Sequence, residues 1–449
     1  MRVAFYTLGC KVNQFESTAM EEQFEAEGCQ IVSWKEHADI YVVNTCAVTS
    51  KAAYQSRQIL SRLKREHPDS KIIATGCHVQ TDPSMIIESV GKGVCLAGNE
   101  QKPLIASMSI KHTGCTGIFI TDISKVREIA PLCISRPPRG RTRAFVKIQD
   151  GCDAYCSYCI VPYARGRSRS LPQDLVFKQV QNLTKKGVRE VVLTGIHIGM
   201  YGKDLPQQGG LLDLLKGLCS GFKDVRFRLS SIEAKELSQG FIEWAASTGN
   251  FCKHFHIPLQ SGSGKVLRDM NRNYTPDEFV DLLQRIRELI PLCAIGTDVM
   301  TGFPTEGEHE FQETVSLLKV APISYLHAFP YSPRPGTMAV SFPCRATRLD
   351  AKKRAKMLIG LGQEKCTEFC RGLVGTRLEV LIEGPAKMDG YLRGKSDNYV
   401  EVLVPASQAA SGSMVKARII EVQGDSVIGE VAQPCPKSLA TVSLRTFME

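Results

Sequence analysis

Apolar runs and amphipathic stretches alternate through the first hundred residues. The pattern predicts strands over 3–8, 39–45 and 71–75, with helices over 16–26, 51–65 and 84–90 between and after them. Regular strand–helix alternation of this kind specifies a parallel α/β sheet. All three strands then point the same way, and the loops at their carboxyl ends share one crevice.

A Pro/Arg-rich stretch over 135–143 reads as a linker. Beyond it the pattern predicts six strands, over 144–149, 190–194, 225–230, 252–259, 294–300 and 323–329. Helices fall between them, for example over 174–186 and 276–289. Six βα repeats build a partly closed barrel with its site at the carboxyl ends of the strands. Residues 347–370 are polar and helical, a connector. From 371 to 433 short alternating strands, such as 378–382, 398–404 and 427–431, predict a small β-barrel. The expected fold class is therefore α/β. Its divisions are 1–135 for the sheet, 136–346 for the partial barrel, 347–370 for the connector, 371–433 for the β-barrel and 434–449 for a tail.

Cysteine placement adds chemistry to this outline. The three predicted N-terminal strands are each followed by a cysteine: Cys10, Cys46 and Cys77. A core cysteine would more naturally lie within a strand than three times just past its end, so a second cysteine site is expected in the shared crevice. The first barrel strand runs into Gly151-Cys152-Asp153-Ala154-Tyr155-Cys156-Ser157-Tyr158-Cys159, three cysteines at x3 and x2 spacing. Three thiolates bind three irons of a cubane and leave the fourth open to a ligand, whereas structural zinc sites are closed by four protein ligands. A zinc knuckle remains an alternative, although the next histidine, His197, lies far outside compact zinc spacing.

The chain has 449 residues, 43% of them hydrophobic, enough for several domains. Its 17 cysteines are odd in number and scattered, which argues against a secreted disulfide framework. Cys29, Cys95, Cys115, Cys133, Cys219, Cys252, Cys293, Cys344, Cys366, Cys370 and Cys435 read as small hydrophobes or free thiols. Cys366 and Cys370 could share a metal, but no further ligand lies near them in sequence. No apolar run approaches the roughly 20 residues of a membrane span, and the N-terminus leads into a strand pattern without a cleavage site. A cytoplasmic protein with no membrane partner is expected.

The net charge of +10 is unevenly distributed. Residues 1–135 carry 14 basic and 14 acidic residues, 136–370 carry 33 and 23, and 371–433 carry 7 and 8. Arg136, Arg139, Arg141, Arg143 and Lys147 precede the cysteine loop; Arg165, Arg167 and Arg169 follow it. Such a basic collar suits a polyanion such as nucleic acid, the alternative being an ordinary solvated surface. The neutral C-terminal barrel gives no compositional support for RNA binding.

With CDAYCSYC in place, the chain resembles the radical S-adenosylmethionine superfamily. TLGCKVNQFES, YVVNTCAVT and ATGCHVQ in the first domain resemble the methylthiotransferases. So do KIQDGCDAYCSYCIVPYARGRSRS, HIPLQSGS, TDVMTGFPTE and YSPRPGT in the barrel. The C-terminal barrel is similar to that family's TRAM domain, an RNA-binding module. The resemblance implies two 4Fe-4S clusters, an auxiliary one on Cys10, Cys46 and Cys77 and a radical-generating one on Cys152, Cys156 and Cys159, with S-adenosylmethionine as cofactor. It further implies two half-reactions: methylation of a sulfur on the auxiliary cluster, then reductive cleavage of a second S-adenosylmethionine. The resulting radical takes the hydrogen from carbon 2 of an adenine, and the methylated sulfur replaces it.

GCKVN at 9–13 and SSIE at 230–233 resemble the branch acting on N6-threonylcarbamoyladenosine at position 37 of tRNA. Other branches modify isopentenyladenosine in tRNA or an aspartate of a ribosomal protein. The implied partners are the anticodon stem-loop of tRNA, an electron donor such as flavodoxin or ferredoxin, and a sulfur donor of unspecified kind. A rival of another class is a non-catalytic RNA-binding protein whose cysteines hold zinc.

By the same resemblance, Thr194, Gly195, Ser231, Glu233, Gln260, Ser261 and Gly302 are candidates for cofactor contact, with turn formation and helix capping as the alternatives. Arg139, Arg141, Arg143, Arg165, Arg167 and Arg169 are the candidates for RNA contact. Tyr155 and Tyr158 could pack on adenine or shield a cluster. Asn13 and Asn44 could bond to cluster sulfur or serve turn chemistry. The target base must be splayed from its loop to reach such a site.

Overall fold

The first sheet has six parallel strands: β1 (Arg2–Thr7), β2 (Gln30–Val32), β3 (Ile40–Thr45), β4 (Lys71–Gly76), β5 (Val94–Ala97) and β6 (Gly117–Phe119). Their spatial order is β2-β1-β3-β4-β5-β6. This arrangement comes from a computed structural model, which describes residues 1–111, 117–130, 132–205 and 209–431. Cys115, Cys435, the last two residues of the expected C-terminal barrel and the 434–449 tail lie outside the described residues.

The β3 sequence IYVVNT is buried throughout because both of its faces are covered. Tyr41 and Val43 pack into one apolar cluster, and Ile40 and Val42 into the cluster on the opposite face. A continuous apolar run is the signature of a parallel strand covered on two sides. The strands missing from the sequence reading are β2, β5 and β6, only three or four residues each and too short to show a period.

The central unit contains β7 (Ala144–Lys147), β8 (Gln149–Asp150), β9 (Arg169–Ser170), β10 (Glu190–Thr194), β11 (Arg226–Leu229), β12 (His254–His256), β13 (Ala294–Thr301) and β14 (Tyr325–Pro330). β7, β10 and β11 pair in parallel, as do β12, β13 and β14. A parallel bridge between Phe227 and Phe251 joins the two halves, giving an open barrel of six strands. Aliphatic and aromatic side chains between strands and outer helices form its main core. β8 and β9 are an antiparallel clip at the base of the cysteine loop.

The connector is one helix, Arg348–Gly372, capped where Thr347 accepts from Asp350 N–H and Asp350 bonds back to Thr347 N–H. It packs on β13 and β14. The last unit is a closed barrel of β15 (Arg377–Pro385), β16 (Tyr391–Ser396), β17 (Glu401–Pro405), β18 (Met414–Gln423) and β19 (Ser426–Val431), in the order β15-β16-β17-β19-β18. Among the described residues, no helix is long and apolar enough to cross a membrane.

Candidate active site between the sheet and the barrel

β1, β3 and β4 are neighbours, paired through Thr7–Asn44 and Thr45–Gly76. Cys46 and Cys77 therefore leave adjacent strands side by side, and Cys10 follows β1 at the N-cap of the Lys11–Ala26 helix. The order of strands reverses at β1, so the crevice lies at a switch point of the sheet. Gly76 has φ of +97°, and a Cβ there would overlap the Thr45 carbonyl; only glycine lets the chain turn at once into Cys77. Cys77 opens a short helix. Burial, reinforced by the nearby Cys77 thiol, pushes the Cys46 thiol up to about 12.

Three devices fix the second loop. The β8–β9 clip closes it, Cys152 N–H donates to the Gly166 carbonyl at 3.0 Å, and Cys159 N–H donates to the Cys156 carbonyl at 2.9 Å. Gly151 has φ of +74°, with Arg167 O where a Cβ would sit. Burial pushes the Cys159 thiol up to about 12, with Cys156 and Cys152 adding to the effect. His197 Nδ1 lies 3.4 Å from Cys152 Sγ, and its Nε2 lies 2.6 Å from Glu236 Oε1. Arg272 reaches Cys156 Sγ at 3.6 Å and also holds Glu233.

The two loops face each other. Ala47 and Cys77 from the sheet pack with Ile160 and Ala164 from the barrel, and Asn99 Nδ2 donates to Ala164 O at 2.7 Å. Beside this apolar contact lies a buried ion cluster. Glu16 receives Lys147 at 2.8 Å, Arg165 at 2.6 Å and also Lys102; Asp150 receives Lys147 at 3.0 Å and Arg165 at 3.1 Å. Arg165 Nη2 donates to Asn13 Oδ1 at 2.6 Å, and its Nε reaches Cys77 Sγ at 3.4 Å. Three cations against two anions leave one positive charge beside the Cys77 sulfur.

This donor set fits thiolate-bound iron–sulfur clusters. Each triad brings soft sulfur ligands together, and metal binding releases their protons. Guanidinium groups at Cys77 and Cys156 and the helix N-termini at Cys10 and Cys77 favour the anionic state such clusters create. The side-chain amides of Asn13 and Asn44 bond within the strand-end loops. Asn13 donates to Leu8 O and Thr45 O, and Asn44 donates to Asn13 O and Ser17 Oγ. Tyr158 packs beside Val266, Met270 and Phe303, while Tyr155 is exposed.

The other sequence candidates divide. Thr194 ends β10, and Gly195 lets Gln149 come close enough to accept from the N–H groups of Ile196 (2.9 Å) and His197 (2.8 Å). Glu233 reaches the cysteine loop through Arg272, and Ser231 Oγ sits 2.8 Å from His256 Nδ1. Gln260 has φ of +66° and a buried Oε1 without a hydrogen bond. Ser261 is buried, accepts from Ser263 N–H and lies beside Thr314 Oγ1, a structural role. Gly302 has φ of +69° and packs where a Cβ would strike Ala351, so it serves helix packing.

The basic collar requires correction. Arg165 and Arg169 are buried, Arg169 within 3.5 Å of Glu100 and donating to Arg165 O. Arg143 pairs with Glu383 at 2.7 Å, and Arg139 pairs with Glu21 and Glu25. Arg136 joins the same two glutamates, and Lys147 is the buried partner of Glu16 and Asp150. Linear charge counting could not see that these acids meet the collar in space. Only Arg141, lying over the Phe145 ring, and Arg167 remain exposed members without a carboxylate partner among the described residues.

Sequence reasoning missed Glu16, Lys102, Asp150, His197 and Arg272. Glu16 alone carried a signal: it falls on the buried stripe of Val12, Phe15, Ala19, Met20 and Phe24, an improbable place for an unpaired acid.

The base of the open barrel is sealed by the C-terminal one. Arg226 donates to Glu379 O (2.8 Å) and Lys395 O (2.7 Å), and Arg228 to Ser396 O and Asp397 O (both 2.9 Å). Glu190 holds both guanidiniums at 2.6 and 2.8 Å. Tyr399, at φ of +68°, stacks on His254 with ring centres 4.5 Å apart. Higher up, Asp298 lies 3.2 Å from His256 Nε2 and 3.1 Å from His327 Nδ1.

Residues 2–98 match the model of a group described as uncharacterized protein family UPF0004, and residues 146–318 match the radical SAM superfamily. The chain is 36% identical to the threonylcarbamoyladenosine tRNA methylthiotransferase MtaB of Bacillus subtilis, covering 93% of this chain and 94% of that protein. The protein of that name from Aquifex aeolicus is also 36% identical, over 90% and 98%. A tRNA-2-methylthio-N(6)-dimethylallyladenosine synthase of Thermus thermophilus is 33% identical, over 96% and 92%. Among solved structures, the radical S-adenosylmethionine methyltransferase TsrM of Kitasatospora setae, with cobalamin and a [4Fe-4S] cluster bound, superposes with a TM-score of 0.53. That match has 14% identity over 92% of this chain and 83% of that one, a likeness of fold. The chain belongs to the radical S-adenosylmethionine tRNA methylthiotransferases, transferases that use S-adenosylmethionine and two four-iron clusters.

Proposed function

We propose that this protein methylthiolates carbon 2 of N6-threonylcarbamoyladenosine at position 37 of tRNA. In this reading Cys10, Cys46 and Cys77 hold the auxiliary cluster, and Cys152, Cys156 and Cys159 hold the cluster that binds S-adenosylmethionine. The observation that carries the reading is the meeting of the two cysteine-bearing loops at one interface, with Arg165 reaching Cys77 Sγ from the barrel side. When bound, the cofactors supply a radical strong enough to break an aromatic C–H bond, for which no acid or base has a useful handle, and a sulfur to put in its place.

The chain's own residues position and shield this chemistry. Arg165, held by Glu16 and Asp150, fixes the auxiliary loop against the barrel and offsets its negative charge. His197 and Arg272 do the same for Cys152 and Cys156, each anchored by a glutamate. Glu233, Ser231, Thr194 and Gly195 border the cofactor position, and Arg141 and Arg167 meet RNA phosphates. The setting is the cytoplasm, with an electron donor of the flavodoxin or ferredoxin type and a separate sulfur donor.

Anaerobic reconstitution tests the site: about eight irons per chain are expected for two cubanes, falling by half when either triad is replaced by Ala. Zinc without iron would support the non-catalytic reading instead. Nucleoside mass spectrometry of tRNA from a strain lacking the protein tests the substrate. Loss of the methylthio group on threonylcarbamoyladenosine alone is the expected result. Loss on isopentenyladenosine would favour the activity named for the Thermus relative.

A further inference from the structure

Three neighbouring strands of the open barrel each turn a side chain able to ligate metal toward the same space. Phe255 on β12, Ile295 and Val299 on β13 and Leu326 on β14 belong to the core between the strands and the outer helices. Side chains alternate along a strand, so His256, Asp298 and His327 stand on the opposite face, toward the lumen. Asp298 and His327 are register partners on adjacent strands, and His256 pairs with Gly296, two residues before Asp298.

Their donor atoms converge. His256 Nε2 and His327 Nδ1 lie 3.2 and 3.1 Å from Asp298 Oδ1, and all three atoms fall within 4.8 Å of one another. Hydrogen bonding accounts for only part of this arrangement. His327 Nδ1 is aligned for a bond to Asp298, whereas His256 Nε2 is buried and makes none despite its closeness. A buried ring nitrogen left unsatisfied calls for a partner. Ligands of one ion point at a common centre rather than at each other, and two of them with bonds of about 2.1 Å stand about 3.0–3.4 Å apart, the separation seen here.

The surroundings support the same reading. Ser231 Oγ lies 2.8 Å from His256 Nδ1. A proton on Nδ1 donated to that hydroxyl leaves the Nε2 lone pair facing Asp298, the usual support of a metal-bound histidine. Tyr325, whose ring covers Gly296, packs beside both imidazoles, 6.2 Å from His256 and 5.4 Å from His327. The His327 side chain is exposed, which gives an ion a way in.

We propose that His256, Asp298 and His327 bind one divalent first-row transition ion, with Ser231 orienting His256. Two imidazoles and a carboxylate suit such ions better than Mg²⁺ or Ca²⁺, which take oxygen ligands, or Cu⁺, which seeks sulfur. Three protein ligands leave positions open toward the lumen for water or for an anionic oxygen of a bound molecule. The site uses none of the six cluster cysteines and does not depend on the substrate reading.

Mn²⁺ alone is the probe. Reconstituted holoenzyme is oxidised so that its four-iron clusters give no electron paramagnetic resonance signal, and Mn²⁺ is titrated while the signal of the free ion is followed. One bound ion per chain is expected, and pulsed measurements on it should show coupling to the nitrogens of two imidazoles. Ser231→Ala is expected to weaken binding about tenfold, the scale for an orienting partner, and Asp298→Asn and His327→Gln by more. At saturating Mn²⁺, His327→Gln should show coupling to one imidazole, with the iron content of wild type. Wild type that binds Mn²⁺ no tighter than Asp298→Asn overturns the site, and so does a bound ion without nitrogen coupling; the three groups then serve as a hydrogen-bonded wall of the lumen. The nitrogen coupling is read on wild type alone, so a failure of Asp298→Asn to fold leaves the proposal open to refutation.

Discussion

Arg165 Nη1 lies 2.6 Å from Glu16 Oε1, across the boundary between the N-terminal sheet and the barrel, with both side chains out of water. Among the described residues, Glu16 is the one acid that touches Lys102, Lys147 and Arg165 together. Removing it leaves Lys102 with no carboxylate among the described residues, and Lys147 and Arg165 with Asp150 alone. Glu16→Ala is therefore expected to destabilise the protein by about 3–5 kcal/mol, the scale for breaking a buried pair. Denaturant unfolding measures the loss, and limited proteolysis between the two units should show them undocked.

Gly76→Ala and Gly151→Ala each force a side chain into the left-handed region and onto a backbone carbonyl. Strain of this kind costs on the order of 1–3 kcal/mol. The more specific outcome is local: Gly76→Ala should lower iron at the auxiliary triad, and Gly151→Ala at the other. Iron analysis combined with electron paramagnetic resonance separates the two. Equal loss at both sites in either variant would contradict this account.

Acid stability should depend on Glu190. Burial alone would raise its carboxyl, but Arg226 and Arg228 prevail and hold it at about 2, against an ordinary 4.5. A depressed folded-state value contributes stability that is complete above about pH 4.5 and is lost as the pH falls toward 2, in total about 3 kcal/mol. Glu190→Gln is expected to be less stable at neutral pH and to lose less on acidification over that window. Unfolding curves of both proteins between about pH 5 and pH 2, compared as differences, provide the check.

Binding of tRNA should separate the exposed arginines from the buried ones. Arg141→Ala and Arg167→Ala are expected to weaken binding without altering the melting temperature, and to reduce its dependence on salt by about one ion each. Arg169→Ala is expected to lower the melting temperature, because that side chain is interior and pairs with Glu100. Filter binding across a salt series, run beside thermal melts, distinguishes the two behaviours.

What the sequence made legible follows from length and periodicity. β1, β3 and β4 are six residues each and apolar enough to declare themselves, so the strand-end positions of Cys10, Cys46 and Cys77 could be read directly. The three-residue edge strands could not. The ion cluster was hidden because Glu16 is 149 positions from Arg165 in the chain, and charge counted along a line reports no such meeting. Tyr399 was hidden differently. A strand over 398–404 is the natural reading, yet β17 begins at Glu401, and Tyr399 occupies a left-handed turn that bulky residues seldom adopt. That turn carries its ring to His254.

The carbonyls that receive Arg226 and Arg228 lie 153 to 169 positions further along the chain. A nascent polypeptide that has emerged only as far as the Arg348–Gly372 helix holds all six proposed cluster cysteines, but Arg226 and Arg228 lack their four outer acceptors. The Arg226 and Arg228 edge of the open barrel thus stays uncovered until residues 379–397 have been made. On the proposed function, the timing of cluster insertion relative to the synthesis of those residues bears directly on how much active enzyme a cell obtains.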